Sequence, residues 1–112
     1  MTSSDLYSNA LSALTATRTS LLTPAWQTAI DKGTVDQRLA ASNELLKVQQ
    51  AILALSDQSL SDIAAALQTF EKDLSSATSA LQNALKDITQ VTNIITSVSS
   101  LLQTVGKIVT LV

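Results

Sequence analysis

The sequence predicts an all-α fold, either a small helical bundle or a helical hairpin, in a single domain over residues 1–112. Apolar residues recur at spacings of three and four along most of the chain, which is the period of one face of a helix. The chain contains one proline and two glycines, so few positions force a helix to stop. A chain of this length can bury one hydrophobic core.

Three shorter helices are predicted in the first half of the chain. An apolar stripe diluted by Ser and Thr predicts the first helix at about 4–22. Pro24 ends that helix and fits the first turn of a new one, which predicts a second helix at 24–31. A Thr-x-x-Gln spacing that begins at Thr34 is a capping-box pattern and predicts a third helix at about 35–55.

The apolar stripe of this third helix is wide. It comprises Val35, Leu39, Ala41, Leu45, Leu46, Val48, Ile52, Leu53 and Leu55. A stripe of that width indicates a helix that contacts more than one neighbour.

The strongest pattern is a seven-residue repeat over 60–112, which predicts one long C-terminal helix that packs along a neighbouring helix. An unbroken helix of this length would extend roughly 80 Å. The repeat, called here the heptad seam, contains Leu60, Ile63, Leu67, Phe70, Leu74, Leu81, Ile88, Val91, Ile95, Val98, Leu102, Val105 and Val109, and its pattern continues to Val112. We expect this seam to be the interaction surface.

The third helix, about 30 Å long, is too short to cover this long helix. The remainder can be covered by the first helix folding back, by a second copy of the chain or by a lipid surface. Alternatively, the long helix breaks at Ser75-Ser76 or Ser99-Ser100, because serine competes for backbone hydrogen bonds. The heptad pattern continues through Ser75-Ser76, which favours a continuous helix there.

The segment 88–112 differs from the rest of the heptad seam. It has no charged residue before Lys107, and a third apolar row of Ile94, Leu101 and Ile108 widens its face. This row is a candidate partner or membrane face. The Ser, Thr and Gln positions of the segment make it too polar for a clear transmembrane span.

The composition argues against an enzyme. Without histidine or cysteine, the chain lacks the commonest general base and transition-metal ligand, and it has no thiol chemistry. The nine carboxylates fall mostly at predicted helix starts, turns and exposed faces, where capping and solvation explain them. We therefore expect no catalytic residue, no cofactor and no metal site.

Charge and aromatic content limit the partners. Seven scattered Lys and Arg residues and a net charge of -2 argue against nucleic acid. Only three aromatic residues are present, which argues against a pocket for a small-molecule substrate. One of them, Trp26, is either an anchor for a partner or a plug at the end of the bundle beside Pro24.

These observations predict a non-enzymatic structural or interaction protein that self-associates or binds a partner helix through the Leu60–Val112 seam. One alternative is a membrane-active protein, such as a pore-forming or translocator-like subunit, that uses 88–112. Another is a small chaperone or adaptor that holds a helix in a groove. The first residues lack the features of a secretory signal, so we expect a cytoplasmic protein or export without a cleaved signal.

Overall fold

The computed structural model describes residues 2–110, and every regular element in that range is an α-helix. The six helices are α1 (Ser3–Leu21), α2 (Pro24–Asp31), α3 (Val35–Ser56), α4 (Leu60–Thr69), α5 (Glu71–Ala84) and α6 (Val91–Thr110). The predicted small all-α bundle is confirmed, and so are the three shorter helices, to within one residue at each end.

The bundle has four helical columns, namely α1, α3, α4 with α5, and α6. Helix α1 packs against α3 and against the α4–α5 column, and α6 packs against α3 and α5. Tyr7 near the start of α1 donates a hydrogen bond to the carbonyl of Leu55 near the end of α3, at 3.1 Å, so these two helices run in opposite directions. The short helix α2 contacts α1 and α3.

Helices α3 and α6 run side by side in the same direction. The Gln37 side-chain amide in the first turn of α3 donates to the Thr92 hydroxyl in the first turn of α6, at 3.2 Å. Helices α5 and α6 are antiparallel, since the end of α5 and the start of α6 line one cleft. Helix α3 therefore occupies a corner of the bundle, with α1 on one side and α6 on the other.

Side-chain caps define the starts of three helices. The predicted capping box of α3 is present: the Gln37 amide donates to the Thr34 hydroxyl, and the Gln37 side chain accepts from the Thr34 amide. In α1 the equivalent box joins Thr2 and Asp5. Thr23 accepts from the amide of Trp26 and caps α2.

The prediction of one long helix over 60–112 is wrong. The chain interrupts the helix at Phe70 and again at 85–90, where α5 ends and α6 turns back along it. The longest dimension of the bundle is 44 Å, whereas an unbroken helix would extend roughly 80 Å. Folding back lets α6 cover the apolar faces of α5 and α3, which a projecting helix would leave in water.

Neither predicted break site is used. Ser75-Ser76 lies inside α5 and Ser99-Ser100 lies inside α6, so the predicted continuity at Ser75-Ser76 is confirmed. The turn forms instead around Asp87, whose carboxylate accepts hydrogen bonds from the amide and the hydroxyl of Thr89, at 3.1 and 2.6 Å. This local bonding offers the backbone an alternative to helix.

Candidate functional site

The carboxylates of the described residues are spread over the bundle. Within 2–110, no three Asp or Glu side chains lie close enough to hold a metal ion. The one buried carboxylate, Glu44, lies on the inner face of α3, and its Oε2 has no hydrogen-bond partner.

Most of the heptad seam lies inside this chain. The buried members are Ile63, Leu67, Leu74, Leu81, Val91, Val98 and Val105, and the partly buried members are Phe70, Ile88, Ile95, Leu102 and Val109. Only Leu60 is exposed, and Val112 lies outside the described residues. In this fold the seam therefore supplies the intramolecular core, and its exposed remainder is small.

The third apolar row is even more deeply buried. Ile94, Leu101 and Ile108 are each at most 1% exposed, and they pack in the same core cluster as the heptad seam. Helix α6 has α3, α4 and α5 as neighbours, which together cover this broad face. None of the helices within 2–110 combines the length and apolar character that crossing a membrane requires.

Trp26 packs in the core with 2% of its surface exposed. Its backbone amide is fixed by the Thr23 cap, which sets the direction of α2. Trp26 is interpreted from the sequence as either a partner anchor or a plug in the bundle. Its burial fits the plug, because an anchor would present its ring to solvent.

A different apolar surface remains open to solvent on α3. Leu39, Leu46 and Leu53 are 60%, 54% and 65% exposed, and we call them the leucine row. They are spaced by seven residues, or two helical turns, and their directions drift by only about 20° per step. The row is therefore a continuous line about 21 Å long on the outer side of the bundle.

The surroundings of the leucine row complete an apolar strip. Val35, one turn before Leu39, is 61% exposed, while Leu45 and Ile52 are partly buried and join the row to the core. The inner face of α3 is separate and buries Ala41, Val48 and Leu55. Helix α3 thus has two apolar faces, of which the bundle uses one.

The sequence contained the signal for this surface. The width of the apolar stripe on α3 predicts a helix that contacts more than one neighbour. The structure confirms that α3 has several neighbours, namely α1, α2 and α6. These neighbours do not cover the leucine row, because it lies on the opposite side of α3 from the buried residues Ala41, Val48 and Leu55.

One cleft lies between the end of α2 and the start of α6 and has a volume of about 690 Å³. It is lined by Ala25, Thr28, Ala29, Lys32, Gly33, Gln37, Ile88, Thr89, Gln90, Val91 and Thr92. The only charged side chain of this lining is Lys32, which is exposed. The cleft is open and mixed in character, without the convergent polar groups that orient a bound small molecule.

Asp87, whose pKa is lowered, lies next to the residues Ile88 and Thr89 that line this cleft. Hydrogen bonds from the Thr89 hydroxyl and amide lower the pKa of Asp87 below its ordinary value. Asp87 is fully exposed and its partners belong to the same turn, so these bonds hold the α5–α6 connection.

Comparison of the chain with protein-family models, with curated proteins and with solved structures found no match. The function is therefore inferred from the surfaces that this chain presents.

Proposed function

We propose that this protein is a non-enzymatic interaction protein that binds the apolar face of another helix on its leucine row. One observation carries the proposal: three leucines, each more than half exposed, are aligned along the solvent side of α3. Isolated exposed leucines are ordinary on protein surfaces, whereas a line of them at heptad spacing matches the contact surface of a packed helix pair.

The proposal moves the expected interaction surface from the heptad seam to α3. A helix binds through apolar residues on one side, and its groove or partner must present a complementary apolar line. The heptad seam cannot serve in the folded chain, because its residues contact one another across α4, α5 and α6. The leucine row has the same spacing and is accessible.

The membrane-active alternative has less support. It requires α6 to leave the bundle, so that Ile94, Leu101 and Ile108 exchange a core environment for lipid. It would also break the packing of α6 against α3 and α5. The chaperone or adaptor alternative is compatible with the proposal, because it also requires a surface that binds a helix. It adds only that this helix belongs to a client or partner protein.

The test uses a labelled amphipathic helical peptide with leucine at every seventh position and alternating Glu and Lys beside it. Titration of the full chain into the peptide, followed by fluorescence anisotropy, is expected to give saturable binding. The triple variant Leu39→Gln, Leu46→Gln, Leu53→Gln is expected to lose that binding, because it removes the apolar line from an exposed face.

Leu22 provides a matched control, since it is 61% exposed but lies just after α1. The Leu22→Gln variant removes similar exposed apolar surface and is expected to bind the peptide as the parent chain does. Equal peptide binding by the triple variant and the parent chain would refute the proposed function, provided that circular dichroism shows both to be folded.

A further inference from the structure

A second hollow, called here the α1–α5 cleft, lies between helices α1 and α5 and has a volume of about 220 Å³. Its two apolar lining residues, Leu6 and Leu74, are almost completely buried and form its floor. Its walls consist of hydroxyl and amide side chains, namely Asn9, Ser12, Ser75, Thr78, Ser79 and Gln82. None of the lining residues is charged, and the α1–α5 cleft is more enclosed than the cleft between α2 and α6.

The Thr78 hydroxyl is the unusual group of this cleft. Its Oγ1 atom is buried and has no hydrogen-bond partner among the described residues. The buried threonines Thr17 and Thr104 instead donate to carbonyls four residues earlier, at 2.7 and 3.2 Å. A buried hydroxyl without a partner has lost its hydrogen bonds to water and gained none in return. A molecule in the adjoining cleft can supply the missing partner.

The α5 wall of the cleft can present several hydroxyl groups together. Ser75, Thr78, Ser79 and Gln82 are spaced by three, four and seven residues, so they lie on one face of α5. Threonine in a helix populates two χ1 rotamers, and its hydroxyl and methyl groups are similar in size. Rotation about χ1 therefore turns the Thr78 hydroxyl toward the cleft without a large change in packing.

We propose that the α1–α5 cleft binds a small neutral polyol of about the size of a monosaccharide. The uncharged walls favour a neutral molecule, because a charged one would lose hydration without gaining an opposite charge. Hydroxyl and amide side chains both donate and accept hydrogen bonds, which matches a molecule that carries several hydroxyl groups. The floor formed by Leu6 and Leu74 is apolar and suits the C–H face of a ring.

The size and lining of the cleft limit the ligand and its affinity. The volume of about 220 Å³ is below the roughly 300 Å³ at which pockets for drug-sized ligands begin, so a single ring fits better than two. No aromatic side chain lines the cleft, and its hydrogen-bonding groups are all neutral. We therefore expect weak binding, with a Kd on the order of 1–10 mM.

This site is separate from the leucine row. Helices α1 and α5 supply all of its lining residues, and α3 supplies none. A polyol in the cleft is therefore expected to leave peptide binding on α3 unchanged, and either proposal can fail without the other.

The experiment is a titration of the full chain with D-glucose up to about 50 mM, a range that brackets this Kd, followed by ¹H–¹⁵N correlation spectra. We expect saturable shifts of the backbone amides of Ser12, Ser75 and Ser79, without comparable shifts on α3. D-glucuronate has the same ring with a carboxylate, and at matched ionic strength we expect it to bind about tenfold more weakly or less. Chemical shifts are the appropriate readout, because polyols raise the thermal stability of folded proteins without occupying a site.

Two variants connect the shifts to the cleft. Thr78→Val removes the hydroxyl and keeps the shape of the side chain, so it is expected to weaken glucose binding about 3- to 10-fold. Ser12→Leu fills the cleft from α1, is expected to abolish binding, and gives the answer if Thr78→Val does not fold. Thr69→Val is the matched control, because Thr69 lies on α4 outside the cleft and donates to the Ala65 carbonyl at 2.9 Å. It is expected to bind glucose as the parent chain does.

Three results would overturn the polyol site. The first is a set of shifts that grow linearly to about 50 mM or that spread over all the helices. The second is glucose binding by folded Thr78→Val and Ser12→Leu variants that equals that of the parent chain. The third is equal binding of glucuronate and glucose, which would show that the cleft does not select a neutral ligand. Each of these results leaves the proposed function of the leucine row to its own peptide experiment.

Discussion

Helices α3 and α6 lie side by side in the bundle, but they differ in how much of their apolar surface is buried. Helices α3, α4 and α5 cover the apolar face of α6 so fully that Ile94, Leu101 and Ile108 are nearly inaccessible. Helix α3 has enough apolar residues for two faces, and the outer one remains in water. The number of apolar residues on a helix therefore does not determine what it offers to a partner.

The spread of apolar residues around each helix explains the difference, since both helices lie between two other columns. On α3, exposed Leu46 and buried Val48 point about 160° apart. Helix α6 is held between α3 and the α4–α5 column, so its three apolar rows have neighbours on several sides. The neighbours of α3 cover its inner face and leave its outer face uncovered. Apolar residues that no neighbouring helix covers are available for binding, whereas the covered apolar residues of α6 stabilise the fold.

The largest expected contrast comes from truncating one leucine on each helix. Leu101→Ala in α6 is expected to lower the free energy of unfolding by about 2–5 kcal/mol, because it leaves a cavity in the core. Leu53→Ala in α3 is expected to change it by less than about 0.5 kcal/mol, because that side chain is mostly in water. Urea denaturation monitored by circular dichroism measures both.

The milder Ile94→Val variant serves as a second probe if Leu101→Ala does not fold, with an expected loss of about 0.5–1.5 kcal/mol. Equal effects of the α3 and α6 truncations on the free energy of unfolding would remove the distinction between the two helices.

A smaller effect is expected on the inner face of α3, where Glu44 is buried and Oε2 lacks a hydrogen-bond partner. Replacing a buried unsatisfied polar group by an apolar one of similar length avoids its desolvation. We expect Glu44→Met to raise the free energy of unfolding by about 1 kcal/mol in urea denaturation. Gln50→Met, at an exposed position of the same helix, is the control and is expected to change little.

If Glu44→Met instead lowers the free energy of unfolding, the Glu44 side chain makes a stabilising contact through its other oxygen. Packing of the inner face of α3 would then depend partly on a polar contact, whereas packing of α6 depends on buried isoleucines and leucines.

The smallest effect concerns the turn that begins α6. The Asp87 pKa is lower in the folded chain than its ordinary value, because Thr89 donates two hydrogen bonds to the charged carboxylate. The stabilisation is therefore present above the ordinary pKa of aspartate and is lost as the pH falls through the folded-state pKa. We expect Asp87→Ala to lower the Tm slightly at neutral pH and by less in strong acid, where the protonated carboxyl is a weaker acceptor.

Asp87→Asn provides the control for this turn, because its side-chain oxygen accepts the same hydrogen bonds without a titrating charge. At neutral pH the Tm of Asp87→Asn is expected to lie between those of the parent chain and Asp87→Ala. Acid is expected to lower the parent chain's advantage over both variants by the same amount, because only the parent titrates at this position. A Tm penalty for Asp87→Ala that is the same at every pH would show that the carboxylate charge contributes nothing.

Local signals in the sequence were sufficient for the early helices. Pro24 and the Thr34 capping box fix backbone geometry through neighbours within a few residues, and the structure places the helix starts there. The same reasoning failed for 60–112, because an uninterrupted heptad pattern is equally consistent with one helix or with helices that fold back in register. The turn at Asp87 depends on a short hydrogen-bonded motif that has no proline or glycine to mark it.

The candidate site could be predicted only in part. The excessive width of the α3 stripe was visible in the sequence, and so was the spacing of Leu39, Leu46 and Leu53. Which of its two faces would be covered depends on where α1 and α6 lie, and that arrangement follows from the reversal between α5 and α6. The missed reversal is therefore the reason that the expected interaction surface fell on the heptad seam instead of on α3.

Thiol reactivity measures the exposure of the two helices most directly. In the absence of native cysteine, a Leu46→Cys variant and a Leu101→Cys variant each carry one thiol, and labelling is followed at a protein concentration where the chain is monomeric. We predict that the Leu46→Cys variant reacts as fast as it does when unfolded. The Leu101→Cys variant should react at least about 100-fold more slowly, because its thiol requires an opening of the core. Equal labelling rates in the two folded variants would contradict the account.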